Sequence, residues 1–139
     1  MDKIEVKRVD DAYAFVATDS NGNTVRMDAS SAIGGNDSGI RPMQSILMGL
    51  GGCGGVDIVS ILKKQKQAII EFKMIIEGER EHSKEPSLWK EIHIQFYFSG
   101  NVEKDKAEKA VALSLNKYCS VSATLRAAGC TIDWTVTIN

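Results

Sequence analysis

Apolar residues recur at helical spacing across residues 41–64, at Ile46, Leu50, Val56, Ile58, Val59, Ile61 and Leu62. The pattern predicts one long central helix. Pro42 falls in its first turn, where a missing N–H costs nothing. Lys63 and Lys64 fall at its C-terminal end, where positive charge is favoured. Period-two patterns flank it. Residues 3–18 read as strand around Ile4, Val6, Tyr13 and Phe15, interrupted by a turn at Asp10 and Asp11. A turn around Asn21-Gly22 leads into a returning strand at 24–28, and 29–40 reads as loop. Residues 69–81 form a strand with Ile70, Phe72, Met74 and Ile76 on one face. Residues 89–99 form another, with Ile92, Ile94, Phe96 and Phe98 inward and Glu91, His93, Gln95 and Tyr97 outward. An amphipathic helix follows at 101–117. A short helix at 121–128 is capped by Cys119 or Ser120 and stopped by Gly129. A strictly alternating strand, 130–138, closes the chain.

The strands come in groups separated by helices, without regular βαβ alternation. That order predicts an α+β fold, antiparallel sheets with helices packed on them, in a single domain over residues 1–139. The central helix is apolar on more than one face, so it calls for burial on every side. A chain of this size does not supply that cover alone, and a homodimer enclosing the helix is expected.

Composition narrows the function classes. Net charge is -1, with no basic footprint, so no nucleic-acid partner is expected. Three cysteines, an odd number, argue against a secreted disulfide framework. The charged, alternating start has no apolar core of a signal peptide. No run of about 18 apolar residues is read, so no membrane span is expected. These features together predict a soluble, cytoplasmic protein.

The candidate chemistry lies with the cysteines. Gly49, Gly51, Gly52, Gly54 and Gly55 crowd Cys53 inside the central helix. Each costs about 1 kcal/mol relative to alanine there, so close packing or access to the sulfur must compensate. Cys119 stands at the start of the short helix, where unpaired N–H groups favour a thiolate. Cys130 opens a strand among apolar neighbours and reads as a small core residue. Zinc ligation is disfavoured: the cysteines are widely separated, and no close Cys or His pair accompanies them. No cofactor is called for. Nothing in the sequence sets His82 or His93 beside Cys53 as a base. Asp57, one turn after Cys53, would raise that thiol's pKa, or serve as a polar contact at a subunit seam.

Pro42, the string Gly51-Gly52-Cys53 and the run Val56-Asp57-Ile58-Val59-Ser60-Ile61-Leu62 together resemble the first cysteine helix of the OsmC/Ohr family. Lys117-Tyr118-Cys119-Ser120-Val121-Ser122 resembles its second cysteine motif. The likeness is greatest to the YhfA-like branch and runs over essentially the whole chain.

The resemblance implies an intertwined homodimer with the cysteine helices at its centre and the active sites at the interface. It implies a thiol-dependent peroxidase acting on organic hydroperoxides. Cys53 would be peroxidatic, Cys119 resolving, and an external dithiol the reductant. Met43, Gln44, Ile46, Leu47 and Leu50 are the candidate substrate pocket. The family's peroxidatic members carry a glutamate just after the proline, paired with an arginine that holds the thiolate. Here Met43 stands at that place. Arg26 is the candidate arginine, with an outward strand position as its other reading, and Arg41 is the second candidate. The rival function is a non-catalytic protein that binds a small apolar ligand or senses redox state in the same interface pocket.

Overall fold

The computed structural model describes residues 1–139, which divide into two compact units, Met1–Ile46 and Leu47–Asn139. In the first, β1 (Glu5–Arg8), β2 (Phe15–Thr18) and β3 (Thr24–Met27) form an antiparallel meander in that order. Asp10 folds the β1–β2 turn by accepting the backbone N–H groups of Ala12 and Ala14. Asp19 does the same for Asn21 and Asn23, and Gly22 takes the positive φ (85°) that the β2–β3 turn requires.

The stretch read as loop is ordered around Asp28, which is buried. Its carboxylate accepts the Ser38 hydroxyl (2.7 Å) and the backbone N–H groups of Ala29, Asn36 and Ser38. Hydrogen bonds from Ser38, hydroxyl first and N–H second, hold its pKa down to about 2. The segment includes a short 3-10 turn, Ser31–Ile33, and returns to pair Ile40 with Met27.

Helix α1 runs from Pro42 to Lys64. One stripe of it, Leu50, Gly51, Gly54, Ile58 and Leu62, is buried in the core of the second unit. The opposite stripe is open: Met48 is 53% exposed, Val56 72% and Val59 43%. The expected burial on every side is therefore met on one side within the chain. By length and composition α1 is also apolar enough to cross a membrane, with a window of mean hydropathy 1.7. The sequence reading had found no such run. The glycines interrupt its apolar residues without adding charge.

The second unit is built on a sheet in the order β4 (Ala68–Arg80), β5 (Trp89–Asn101), β6 (Thr131–Ile138). Ile92, Ile94, Phe96 and Phe98 of β5 are buried as their alternation predicts. Phe98 stacks on Phe72 of β4 at 4.4 Å between ring centroids. Two details differ from expectation. The β4–β5 register skips between Ile69 and Glu71, so Ile70 bulges out and is 79% exposed, while Ile69 packs against the core in its place. And β6 joins β5 in parallel, so this sheet is mixed.

The connection from β5 to β6 is helical. Helix α2 (Lys104–Leu113) buries Ala107, Ala110 and Val111. It ends before residue 117: Ser114–Tyr118 widens into a π turn closed by Cys119 N–H donating to the Ser114 carbonyl at 2.7 Å. Helix α3 (Ser120–Ala127) follows, with Cys119 as its N-cap and Gly129 (φ 97°) past its end.

Candidate active site

Close approach of backbone to side chain explains two of the glycines in α1. A Cβ on Gly51 would lie 2.9 Å from Ile76 Cδ1, and one on Gly55 3.2 Å from Met74 Cε. Gly54 faces the Ser114 hydroxyl and Leu115. These contacts set α1 down on β4 and on the π turn, and so carry Cys53 to the start of α3. Gly49 and Gly52 face open space within the chain.

All three cysteines are free thiols. Cys53 is half-buried and Cys119 buried. The two are close enough to perturb each other, in opposite directions. Hydrogen bonding from the Val121 backbone N–H, then from the Cys119 thiol, holds Cys53 below its ordinary value; the Ser120 N–H adds to this, while burial and the Asp57 charge oppose it. Burial, above all, pushes Cys119 up to about 11, and its proximity to Cys53 adds to the rise. The physical cause is the first turn of α3. Its unpaired N–H groups point at the Cys53 sulfur and favour the anion there. Cys119, as the cap, accepts the Ser122 N–H at 3.4 Å from behind.

Ser114 ties the two sides together. Its hydroxyl lies 3.1 Å from Asp57 Oδ2 and 3.3 Å from the Gly54 carbonyl. Ser114 falls on the apolar face of the amphipathic helix predicted at 101–117, where the sequence alone assigns it no role. A buried hydroxyl in that stripe, one turn before a cysteine, is the signal that was available. Asp57 is thus a polar contact within the chain that also acts electrostatically on Cys53. Cys130 is buried, which raises its pKa, and its thiol faces the Thr131 carbonyl at 3.5 Å.

The remaining predicted residues are spread more widely. Arg26, on β3, is exposed, and its Nε donates to the Ser38 hydroxyl at 3.1 Å. Arg41 is engaged by the Asp28 and Gly39 carbonyls and by Asp37. Both arginines belong to the first unit and both thiols to the second. Along α1, Gln44 accepts the Arg41 backbone N–H at 2.9 Å, Met43 is half-buried and Ile46 is 36% exposed. Leu47 packs against the core of the second unit and Leu50 is fully buried in it. His93 pairs with Asp133 (2.5 Å) and His82 with Glu79 (2.8 Å), and no three His, Cys, Asp or Glu side chains cluster as a metal site would require.

An α+β fold with a thiol pair between a long apolar helix and the start of a short one defines the class, and the chain belongs to the OsmC-like protein family, whose model matches residues 34–135. Among its relatives is Protein YhfA of Escherichia coli K12, 34% identical over 119 residues, 85% of each chain. A hypothetical protein from Aquifex aeolicus VF5 shares the fold with a TM-score of 0.82 and 31% identity, over 100% of this chain and 98% of that one. An organic hydroperoxide resistance protein OsmC from Legionella pneumophila has the same fold, with a TM-score of 0.72 and 17% identity over 97% and 96% of the two chains.

Proposed function

We propose that this chain is a thiol-dependent peroxidase that reduces organic hydroperoxides, with Cys53 peroxidatic and Cys119 resolving. The observation that carries this reading is the opposite perturbation of two neighbouring thiols at one helix end. Two cysteines buried merely as core residues would both be pushed up.

The chemistry follows from that asymmetry. The Cys53 thiolate attacks the outer oxygen of the hydroperoxide. The O–O bond breaks, the alkoxide takes a proton and leaves as the alcohol, and Cys53 becomes a sulfenic acid. Cys119 then attacks the Cys53 sulfur. Its proton leaves with the hydroxyl as water, and a Cys53–Cys119 disulfide remains for an external dithiol to reduce. A resolving thiol that stays protonated does not compete for the peroxide in the first step.

Arg26 is proposed as the cation serving the thiolate. Met43, Gln44, Ile46, Leu47 and Leu50 are proposed to shape the apolar part of the site in a homodimer, with cytoplasmic localisation. The Legionella protein's description as an organic hydroperoxide resistance protein supports the choice of substrate class.

Mixing reduced protein with cumene hydroperoxide tests the proposal. Two thiols per chain are lost, and peptide mapping finds Cys53 joined to Cys119. In Cys119→Ser, Cys53 accumulates as a sulfenic acid trapped by dimedone. Peroxide consumption by Cys53→Ser at the wild-type rate would overturn the reading.

One observation favours a ligand-binding function, at a place other than the thiol site. The first unit holds an apolar cavity of about 650 Å3, lined by Val6, Tyr13, Phe15, Met27, Ile33 and Pro42 among others. An apolar molecule retained in native mass spectra, with thiols inert to peroxide, would decide for a binding protein.

A further inference from the structure

Resolution poses a proton problem that the two thiols do not solve by themselves. Cys119 attacks as a thiolate, yet burial pushes it up to about 11, so at pH 7 only about one chain in ten thousand holds it ionised. The departing hydroxide, for its part, needs a proton. A carboxylate beside the pair answers both needs, and Asp57 is there despite its effect on the first step. It stands one turn after Cys53 on α1, half-buried, and its charge opposes the Cys53 thiolate. An asparagine would accept the same Ser114 hydroxyl without that penalty. The opposition is confined to the first step, because Cys53 as a sulfenic acid is neutral.

Ser114 connects this carboxylate to the second sulfur's backbone. Its hydroxyl, fully buried, lies 3.1 Å from Asp57 Oδ2 and 3.3 Å from the Gly54 carbonyl. Its own carbonyl accepts the Cys119 N–H at 2.7 Å. One residue of the π turn therefore holds the carboxylate by its side chain and Cys119 by its main chain. Ser114 takes Oδ2 and leaves Oδ1 open to accept. Lys64 and Tyr118 are the titratable neighbours that line the same cleft as Asp57, and Asp57 is the one carboxylate there. The histidines are committed elsewhere, His82 to Glu79 and His93 to Asp133.

We propose that Asp57 is the proton carrier of the resolving step: it takes the Cys119 proton as that sulfur attacks Cys53 and hands it to the departing hydroxyl, directly or through one water. The inference rests on the thiol-peroxidase reading and assigns the proton path of its second step. The S–H proton moves to Oδ1 while the bond between the two sulfurs forms and the Cys53 S–O bond breaks. The hydroxide then takes that proton, water leaves, and Asp57 is a carboxylate again. The sulfenic sulfur is reduced and the thiol sulfur oxidised, so the step needs no outside oxidant or reductant. Ser114 is a positioning residue, acting through Asp57.

Reduced protein is mixed with one equivalent of cumene hydroperoxide and quenched at intervals into dimedone and an alkylating reagent. Intact mass then counts sulfenic acid and disulfide separately. Asp57→Asn forms the sulfenic acid at least as fast as wild type, and its disulfide about a hundredfold more slowly, as loss of a general base predicts. Wild-type resolution is flat between about pH 6 and 8, whereas in Asp57→Asn it climbs about tenfold per pH unit, because the thiolate must form first. That slope separates proton transfer from placement, since a merely displaced Cys119 loses rate equally at every pH. Ser114→Ala slows the same step and keeps the flat profile. Resolution by Asp57→Asn at the wild-type rate, or with the wild-type slope, overturns the inference and leaves the peroxidase standing. If Asp57→Asn does not fold, the wild-type profile decides, and a tenfold rise per pH unit overturns the inference. Wild-type protein that yields neither sulfenic acid nor disulfide overturns the peroxidase reading and the inference with it.

Discussion

The difference in acidity between Cys53 and Cys119 has two sources, hydrogen bonding at the first sulfur and burial at the second. Cys53 receives the N–H groups of Val121 and Ser120, whereas Cys119 is packed behind the same turn. Alkylation rates against pH read this directly. Half-maximal reaction of Cys53 falls below its ordinary value of 9.0, and that of Cys119 lies near 11. Asp57→Asn removes a charge that disfavours the thiolate, so the Cys53 midpoint moves to lower pH. A midpoint that moves up, or stays, refutes the assigned part of Asp57. At this scale the sequence placed Cys119 at the helix start but gave the favoured thiolate to the wrong sulfur: the N–H groups there lower Cys53, while burial raises Cys119. It was silent on Ser114, whose role depends on residues 57 and 114 meeting across the fold, which no periodicity encodes. The acid missing at Met43 was legible. What orients Arg26 was not: the Ser38 hydroxyl, itself held by the buried Asp28.

Among the elements, α1 and β5 were the most legible and for the same reason: long, regular patterns leave little choice of face. The misreadings sit where geometry is non-local. A one-residue bulge exchanges Ile70 for Ile69, and only pairing with β5 determines it. The parallel entry of β6 follows from the helical connection, long enough to return the chain to the same end of the sheet. The glycines of α1 divide into those that press on the sheet and those that face outward. Alanine at an open helical position stabilises an isolated chain by about 1 kcal/mol. At Gly52 the expected outcome differs if α1 packs against a second copy: Gly52→Ala then weakens self-association. Sedimentation equilibrium on wild type and variant measures it, and a variant that associates as tightly argues against close helix packing there.

For the molecule as a whole, the open stripe of α1 is the feature that asks for a partner. Met48, Val56 and Val59 are apolar and exposed, on a helix whose other stripe forms the core. Fold class was readable from the order of elements alone. The division of the chain into units at residue 46 was not, since one unbroken helix begins in the first unit and ends in the second.

Cys119 has a second consequence through its place as a cap. Its sulfur accepts the Ser122 amide, so a bond to Cys53 changes an acceptor that the first turn of α3 depends on. The amide clock of that turn then reports the electron state of the protein without a label on either sulfur. Exchange at Ser122 accelerates when peroxide is added and slows again with dithiothreitol, while the β5 amides keep one rate throughout. Equal Ser122 rates in both states would mean that the disulfide closes around an undisturbed helix end.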